Sequence, residues 1–317
     1  MTVKILRGDC REVLEALPAA SIHCVVTSPP YWGLRDYGVP PSIWDGDPAW
    51  RGCLGLEPTP SLYVEHLRQI MRQVWRVIRP DGALWLNLGD SYAGRTGGPR
   101  DADRWPKRAP GDHLPSRRAA AGAKPKDLLM IPARVALALQ DDGWWVRSDI
   151  IWEKPSCMPE SVHDRPTQSH EHVFLLTKAD RYFFDAHAIR ERAVSGHPSG
   201  NGFKRAARRS FGGSAKPRGS DVQWSDVGGT RNARSVWRIN STPFLGAHFA
   251  TMAPGVADRC IRASTSEFGC CPTCGAPWRR IIVKGMPDEA ARRAAGSDAL
   301  GGYTGQSIKG HDAAPGA

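Results

Sequence analysis

Apolar residues in the first third of the chain switch repeatedly between strand-like and helix-like spacing. Val3 to Leu6 predicts a short strand, and Arg11 to Leu17 a helix that Pro18 stops. Ile22 to Thr27 (IHCVVT) is an apolar run of the buried type that leads straight into Pro29-Pro30. Leu62 to Ile78 carries apolar side chains at helical intervals and ends at Pro80-Asp81-Gly82. Ala83 to Leu88 is the next strand, closed by Gly89-Asp90. This β-α-β-α-β rhythm predicts an α/β protein with helices covering a largely parallel sheet.

The pattern weakens further along. Tyr92 to about Lys126 is rich in Gly, Pro, Arg and Asp and predicts a mobile loop. Leu128 to Leu139 reads as a helix and Trp144 to Trp152 as a strand. His172 to Thr177 with Arg181 to Phe184 reads as a β-hairpin. Arg190 to Arg234 is Gly/Ser/Arg-rich without periodicity, so it is either a disordered insert or a functional loop. Strand character resumes from Ser235 to Ile239, and Ala250 to Arg262 is helical. The expected organisation is a main domain over residues 1–265, a cysteine-bearing segment at 266–284 and an unstructured tail at 285–317.

Composition narrows the class. A chain of 317 residues with 41% hydrophobic and 24% charged residues can bury a substantial core. Its net charge of +11 favours a polyanionic partner, nucleic acid before an acidic membrane, although solvated basic loops would give the same total. The opening MTVKILRGDC lacks the apolar run of a secretory signal, and the sequence has no apolar stretch long enough to span a bilayer. Of eight cysteines, five are scattered and three clustered, which suggests reduced thiols in a cytoplasm rather than a disulfide framework.

The segment with chemistry in it is Thr27-Ser28-Pro29-Pro30-Tyr31-Trp32. It follows a buried-type strand, at the end where open α/β sheets place their ligands. Neither proline has an N–H to give a neighbouring strand, so the pair forces a rigid turn. That turn offers a hydroxyl, free carbonyls and two aromatic rings. A plain strand-ending turn is the alternative.

TSPPYW resembles the catalytic motif of the DNA amino-methyltransferases, which methylate cytosine N4 or adenine N6. Further blocks match that family in its order: LRGDCREVLEALP, RPDGALWLNLGDSY, DIIWEKPSCMPESVHDRPTQSHEHVFLLTK, RSVWRI and AHFATMAPGVADRCIRAS. The order is that of the permuted group, in which the catalytic motif precedes the glycine loop for the cofactor. The resemblance implies a Rossmann-like fold with a mixed, mostly parallel sheet, and S-adenosyl-L-methionine as methyl donor. It also implies double-stranded DNA as substrate, with the target base swung out of the helix. Ser28, Pro29, Pro30 and Tyr31 are then the catalytic group: Ser28 Oγ and the Pro29 carbonyl accept from the amine, and Tyr31 stacks on the base. Serine at position 28 resembles the N4-cytosine members; N6-adenine is the alternative, since Asp or Asn is commoner there. A cytosine-C5 enzyme would need a cysteine after proline, and Cys157 follows Ser156.

The resemblance assigns Asp9, Thr27, His248, Phe249 and Thr251 to the cofactor. From the residues alone, Asp9 reads first as a turn residue capping the helix from Arg11, and the resemblance moves it toward the cofactor. Trp32, Arg35 and Arg165, with Arg205, Arg208 and Arg209 in the basic insert, are expected on the DNA side. One block is not found: nothing downstream of HFAT matches the family's Asp-Pro-Phe-x-Gly-x-Gly loop, and Phe211-Gly212-Gly213-Ser214 has no strand before it. The expectation is a C-terminally truncated product, catalytic with a second polypeptide that supplies the loop or left as a DNA-binding remnant. A restriction endonuclease is the other expected partner. Finally, Cys271-Pro-Thr-Cys274-Gly275 spells a zinc knuckle, against the alternative of two free thiols.

Overall fold

A computed structural model describes residues 3–46, 50–94, 123–157, 159–192, 230–242 and 251–281. The chain divides into a unit spanning Met1–Trp278 and a second spanning Arg279–Ala317, of which residues 279–281 are described.

In chain order the elements are α1 (Cys10–Ala16), β1 (Ile22–Thr27), β2 (Ser42–Trp44), β3 (Trp50–Gly52), α2 (Pro60–Val77) and β4 (Ile78–Leu88). There follow α3 (Ile131–Asp141), β5 (Trp145–Glu153), β6 (His170–Thr177), β7 (Glu191–Arg192), β8 (Thr230–Arg231), β9 (Val236–Arg238) and α4 (Pro254–Ser264). The main sheet has the order β1-β4-β6-β5-β9. β1, β4, β5 and β9 run one way, and β6 runs against both of its neighbours. The sheet is therefore mixed and mostly parallel, as an α/β rhythm requires.

Local sequence explains the elements. Thr59 Oγ1 caps the first turn of α2 by accepting from Leu62 N, and Pro60 fills a position where no N–H is needed. Tyr63, His66, Leu67, Ile70, Met71, Val74 and Val77 then form one buried stripe at helical spacing. Strand β4 is buried continuously from Ala83 to Leu88 because both faces are covered. Leu84, Leu86 and Leu88 pack under α2 and α3; Ala83 and Trp85 pack under α4.

Several expectations change. Val3 to Leu6 is not a strand; Val3 and Ile5 are 84% and 89% exposed. β1 has the expected span, but its residues are only half-buried, because among the described residues it is hydrogen-bonded on one side. Pro80-Asp81-Gly82 does not separate helix from strand. β4 starts at Ile78 and the register against β1 slips there, with Gly82 so close that a Cβ would lie 2.7 Å from His23 O. The 172–184 hairpin does not form, because both edges of β6 are taken by β4 and β5. The hairpin β2–β3 was not anticipated; its runs of three residues are too short to register as a period. The basic insert is closed at its base by the β7–β8 pair, where Glu191 receives Arg231 and Arg234. Residues 193–229, the heart of that insert, lie outside the described residues, as do 95–122 and the tail from 282. No helix among the described residues is long and apolar enough to cross a membrane.

Leu86 is fully buried between β1, β6 and the helices above. Leu86→Ala should cost about 2–5 kcal/mol of stability, read from the urea midpoint at unchanged slope.

Candidate active site

The double-proline corner is held from three sides. Tyr63, fully buried on α2, donates its hydroxyl to Pro30 O at 2.9 Å. Ser91 Oγ, just past β4, donates to Trp32 O at 2.9 Å. From the loop before α2, Gly55 O accepts from Gly33 N at 2.8 Å, and Glu57 O accepts the Trp32 indole N–H at 3.0 Å. Gly55 has φ +93 and a Cβ there would sit 3.0 Å from Tyr31 O, so glycine is required on both counts. Pro29 and Pro30 supply no N–H, so these outside bonds replace the ladder bonds that a continuing strand would have made.

Ser28 is exposed and its hydroxyl donates to Tyr31 Oη at 3.1 Å. Tyr31 Oη donates in turn to Glu171 Oε2 at 2.6 Å and also lies 3.2 Å from Asn87 Oδ1. Asn87 Nδ2 donates to the same Glu171 oxygen at 3.0 Å, and Lys154 Nζ ion-pairs with Glu171 Oε1. Burial first, and the Glu171 charge second, push the Tyr31 phenol well above its usual range, so Tyr31 keeps its proton. The chain Ser28, Tyr31, Glu171 thus has one hydrogen-bond direction, ending on a carboxylate fixed by a lysine and an amide. Asn87, Lys154 and Glu171 escaped sequence reasoning. Asn87 lies on β4, Glu171 on β6 and Lys154 just past the end of β5, and only the sheet order β4-β6-β5 makes them neighbours.

Beside this chain lies an open cleft of about 240 Å³. Tyr31, Gly89 and Asp90 form one wall; Lys154, Gln168 and Arg165 bring donors to the other. Tyr31 lies against Gly89, where a Cβ would be 2.7 Å from its ring. Arg165, which lines the cleft, stacks on Tyr92 at 3.9 Å and bonds Glu160 at 2.7 Å.

The other expected site residues fare differently. Thr27 ends β1 next to Ser28, half-buried. Trp32 is spoken for by Glu57 and packs against the core, which makes it a buttress of the corner. Arg35 is exposed. Thr251 is exposed before α4, whereas His248, Phe249, Arg205, Arg208 and Arg209 lie outside the described residues. Asp9 caps α1: Oδ1 accepts Arg11 N and Nε, and Oδ2 accepts Arg11 Nη2 and Ser42 Oγ. The Arg11 guanidinium holds this carboxyl down at about 2. All four of these contacts are made within the chain, so Asp9 acts here as the cap of α1.

Beneath the corner sits a buried pair. Glu57 Oε2 accepts Gly55 N at 2.8 Å, and Oε1 lies 2.9 Å from His66 Nδ1. His66 is sandwiched between Trp44 (4.3 Å) and Trp50 (5.2 Å). Burial raises Glu57 to about 7 and lowers His66 to about 4, so both are neutral over the interval between.

The polar, proline-turned corner stands at the carboxyl end of a parallel strand in a mixed α/β sheet, the place where such sheets bind their ligands. The sequence profile of the N6/N4 DNA methylases matches residues 22–271, and the chain belongs to that family. It is 44% identical over 261 residues to the type II methyltransferase M.XycI of Xanthomonas campestris pv. cyanopsidis, covering 82% of this chain and 72% of that one. It is 42% identical over 267 residues to M.Cfr9I of Citrobacter freundii, again covering 82% and 72%. Among solved structures, the PvuII DNA methyltransferase (cytosine-N4-specific) aligns over 82% of this chain and 69% of its own, with 15% identity and a TM-score of 0.49. The chain is thus a DNA methyltransferase, and S-adenosylmethionine is the methyl donor of its family.

Two predictions follow from the geometry. In Gly89→Ala the new methyl must push the Tyr31 ring, whose hydroxyl is tethered to Glu171. Methyl transfer should fall roughly 10- to 100-fold for about 1–3 kcal/mol of lost stability. Unchanged turnover in a single-turnover assay would show that the ring position is immaterial.

The second concerns Glu57. Its folded value of about 7 lies above its ordinary 4.5, so the unfolded chain loses the proton first and stability falls between those values. His66 has the opposite sign: its folded value of about 4 lies below 6.5, so stability rises over that interval. The two slopes oppose each other in the wild type. Glu57→Gln removes the first alone, so the variant should gain on the wild type by about 3 kcal/mol between pH 4.5 and 7 and hold level above. Urea unfolding at pH 5 and pH 8 checks this; a difference independent of pH would mean an ordinary ionised carboxylate.

Proposed function

We propose that this methyltransferase acts on the exocyclic N4 of cytosine in double-stranded DNA. The observation that carries the reading is the directed chain from Ser28 through Tyr31 to Glu171. An exocyclic amine is a poor nucleophile while its lone pair is conjugated with the ring. Acceptors aimed at its N–H bonds turn the nitrogen toward tetrahedral geometry and release that lone pair. Because Ser28 spends its own proton on Tyr31, its remaining lone pairs face outward as acceptors. The carbonyl of Pro29 is the second acceptor.

The cofactor supplies an activated methyl on sulfonium. Its fit to the described residues is one-sided: Thr27 and Thr251 stand near the corner's strand end and the start of α4, while Asp9 caps α1. What this chain's residues do is therefore derived from the base side. As nitrogen gains the methyl, it acquires positive charge and must shed one proton. Ser28 Oγ takes that proton and passes its own to Tyr31, which passes its own to Glu171. Lys154 and Asn87 hold the Glu171 carboxylate ready without rearrangement.

Cytosine suits the cleft because its pairing edge has one amine donor beside two acceptors. Ser28 and Pro29, which precede the cleft-lining Tyr31 in the corner, serve the donor, and Lys154, Gln168 and Arg165 in the cleft offer hydrogens for the acceptors. Such a base must leave the duplex to reach them. The excess of 43 Lys and Arg over 32 Asp and Glu supports phosphate contacts on either side.

Ser28→Ala should abolish methyl transfer while leaving DNA retention intact. Glu171→Gln keeps an acceptor for Tyr31 but removes the terminal base, and should lower kcat about 100-fold or more with KM little changed. Nucleoside analysis of methylated DNA decides the target: N4-methylcytosine is expected, and N6-methyladenine would overturn the assignment.

A further inference from the structure

Beneath the double-proline corner, one carboxyl joins helix α2 to the chain around Tyr31. The Glu57 side chain runs between two fixed points: Oε1 lies 2.9 Å from His66 Nδ1, and Oε2 accepts Gly55 N at 2.8 Å. The His66 end is fixed by stacking. Its ring lies against Trp44 and Trp50, which are cross-strand partners in the β2–β3 hairpin, and the Arg11 guanidinium covers Trp44 at 4.3 Å. The Gly55 end leads into the corner. Gly55 O accepts Gly33 N at 2.8 Å, and a Cβ on Gly55 would lie 3.0 Å from Tyr31 O. Glu57 O accepts the Trp32 indole at 3.0 Å, and Leu56 N closes the turn on Cys53 O at 3.0 Å. Tyr31, Trp32 and Gly33 thus all rest on a turn whose shape Glu57 sets.

We propose that Glu57 is a positioning residue for methyl transfer: through the Cys53–Glu57 turn it holds the backbone behind Tyr31, and with it the Ser28–Tyr31 pair, against the target base. The proposal rests on the base-side reading above. Glu57 is 4% exposed, so it acts through what it holds. A carboxyl suits the task because it offers one oxygen to each end, in a rigid plane. An apolar side chain of similar length would fill the space but leave Gly55 N and His66 Nδ1 without partners, and the turn would shift to satisfy them. That shift reaches Tyr31, whose ring lies against Gly89 and whose hydroxyl is tied to Glu171. Acceptors moved by an ångström lose their alignment on the amine. DNA affinity comes mainly from phosphate contacts, so the loss falls on the chemical step rather than on binding.

Methyl transfer by the full chain from saturating S-adenosylmethionine is measured at varied DNA concentration, with a urea transition for each variant. Glu57→Met should lower kcat roughly 10- to 100-fold and leave KM for DNA within about twofold. Glu57→Gln keeps an acceptor for Gly55 N and a donor for His66 Nδ1, and should stay within about threefold of the wild-type kcat. Leu139→Ala, an ordinary core cavity on α3, should leave kcat of the folded protein unchanged, which separates positioning from lost stability. If Glu57→Met does not fold, His66→Phe takes its place: it keeps a ring against the two tryptophans and removes only the partner of Glu57 Oε1, and the same loss confined to kcat is expected. The proposal is overturned by wild-type kcat in the folded variant, by a loss carried in KM, or by Glu57→Gln falling as far as Glu57→Met. Ser28→Ala keeps the two readings apart: inactive Ser28→Ala beside fully active Glu57→Met removes the positioning role alone, whereas full turnover by Ser28→Ala removes the active-site reading itself.

Discussion

A strand that ends in two prolines has no N–H groups with which to stay in its sheet, and the chain must be caught by something else. Here it is caught by two side chains and a loop's backbone: Tyr63 on Pro30 O, Ser91 on Trp32 O, and the carbonyls of Glu57 and Gly55 on Trp32 and Gly33. The bonds come from three separate segments, so the corner is rigid only when the layers are assembled. Rigidity matters because an amine is activated by where its acceptors stand, and a displacement of an ångström forfeits most of the advantage. The corner thus couples the packing of α2 directly to the position of Ser28, the residue proposed to activate the amine.

The same corner explains an uncommon buried group. Glu57 is 4% exposed, yet no cation neutralises it, since His66 is held neutral between two tryptophans. An ionised carboxylate in that position would be costly; a protonated one is a donor and an acceptor at once. It ties Gly55 to His66, and Gly55 supports Tyr31. Glu171 is bound differently: Lys154 ion-pairs with one of its oxygens, and the Asn87 amide and the Tyr31 hydroxyl donate to the other.

Much of the architecture was written in local chemistry. The span of β1, the helical stripe of α2 and the turn at Pro29-Pro30 need nothing beyond spacing and the missing proline N–H groups, while the catalytic reading of TSPPYW came from its resemblance to a family motif. The ambiguity at Asp9 was visible too, because a Gly-Asp before a helix reads as a cap whatever else it does; the structure shows the cap filled. The Cys-x-x-Cys-Gly spelling likewise implies its turn from local geometry alone.

The rest depended on contacts between distant segments. No period in the sequence says that His170–Thr177 enters between β4 and β5 against their direction, so the expected hairpin with Arg181–Phe184 gave way. That insertion brings Glu171 to Tyr31, 140 positions away, and places Lys154 and Asn87 beside it. A side chain's ionisation, its hydrogen-bond direction and its distance to a partner are properties of that assembly. Sequence by itself determined which residues can do the chemistry, because their functional groups are intrinsic. Tertiary structure alone decided which of them meet, since pairing across a sheet is settled by burial summed over whole elements.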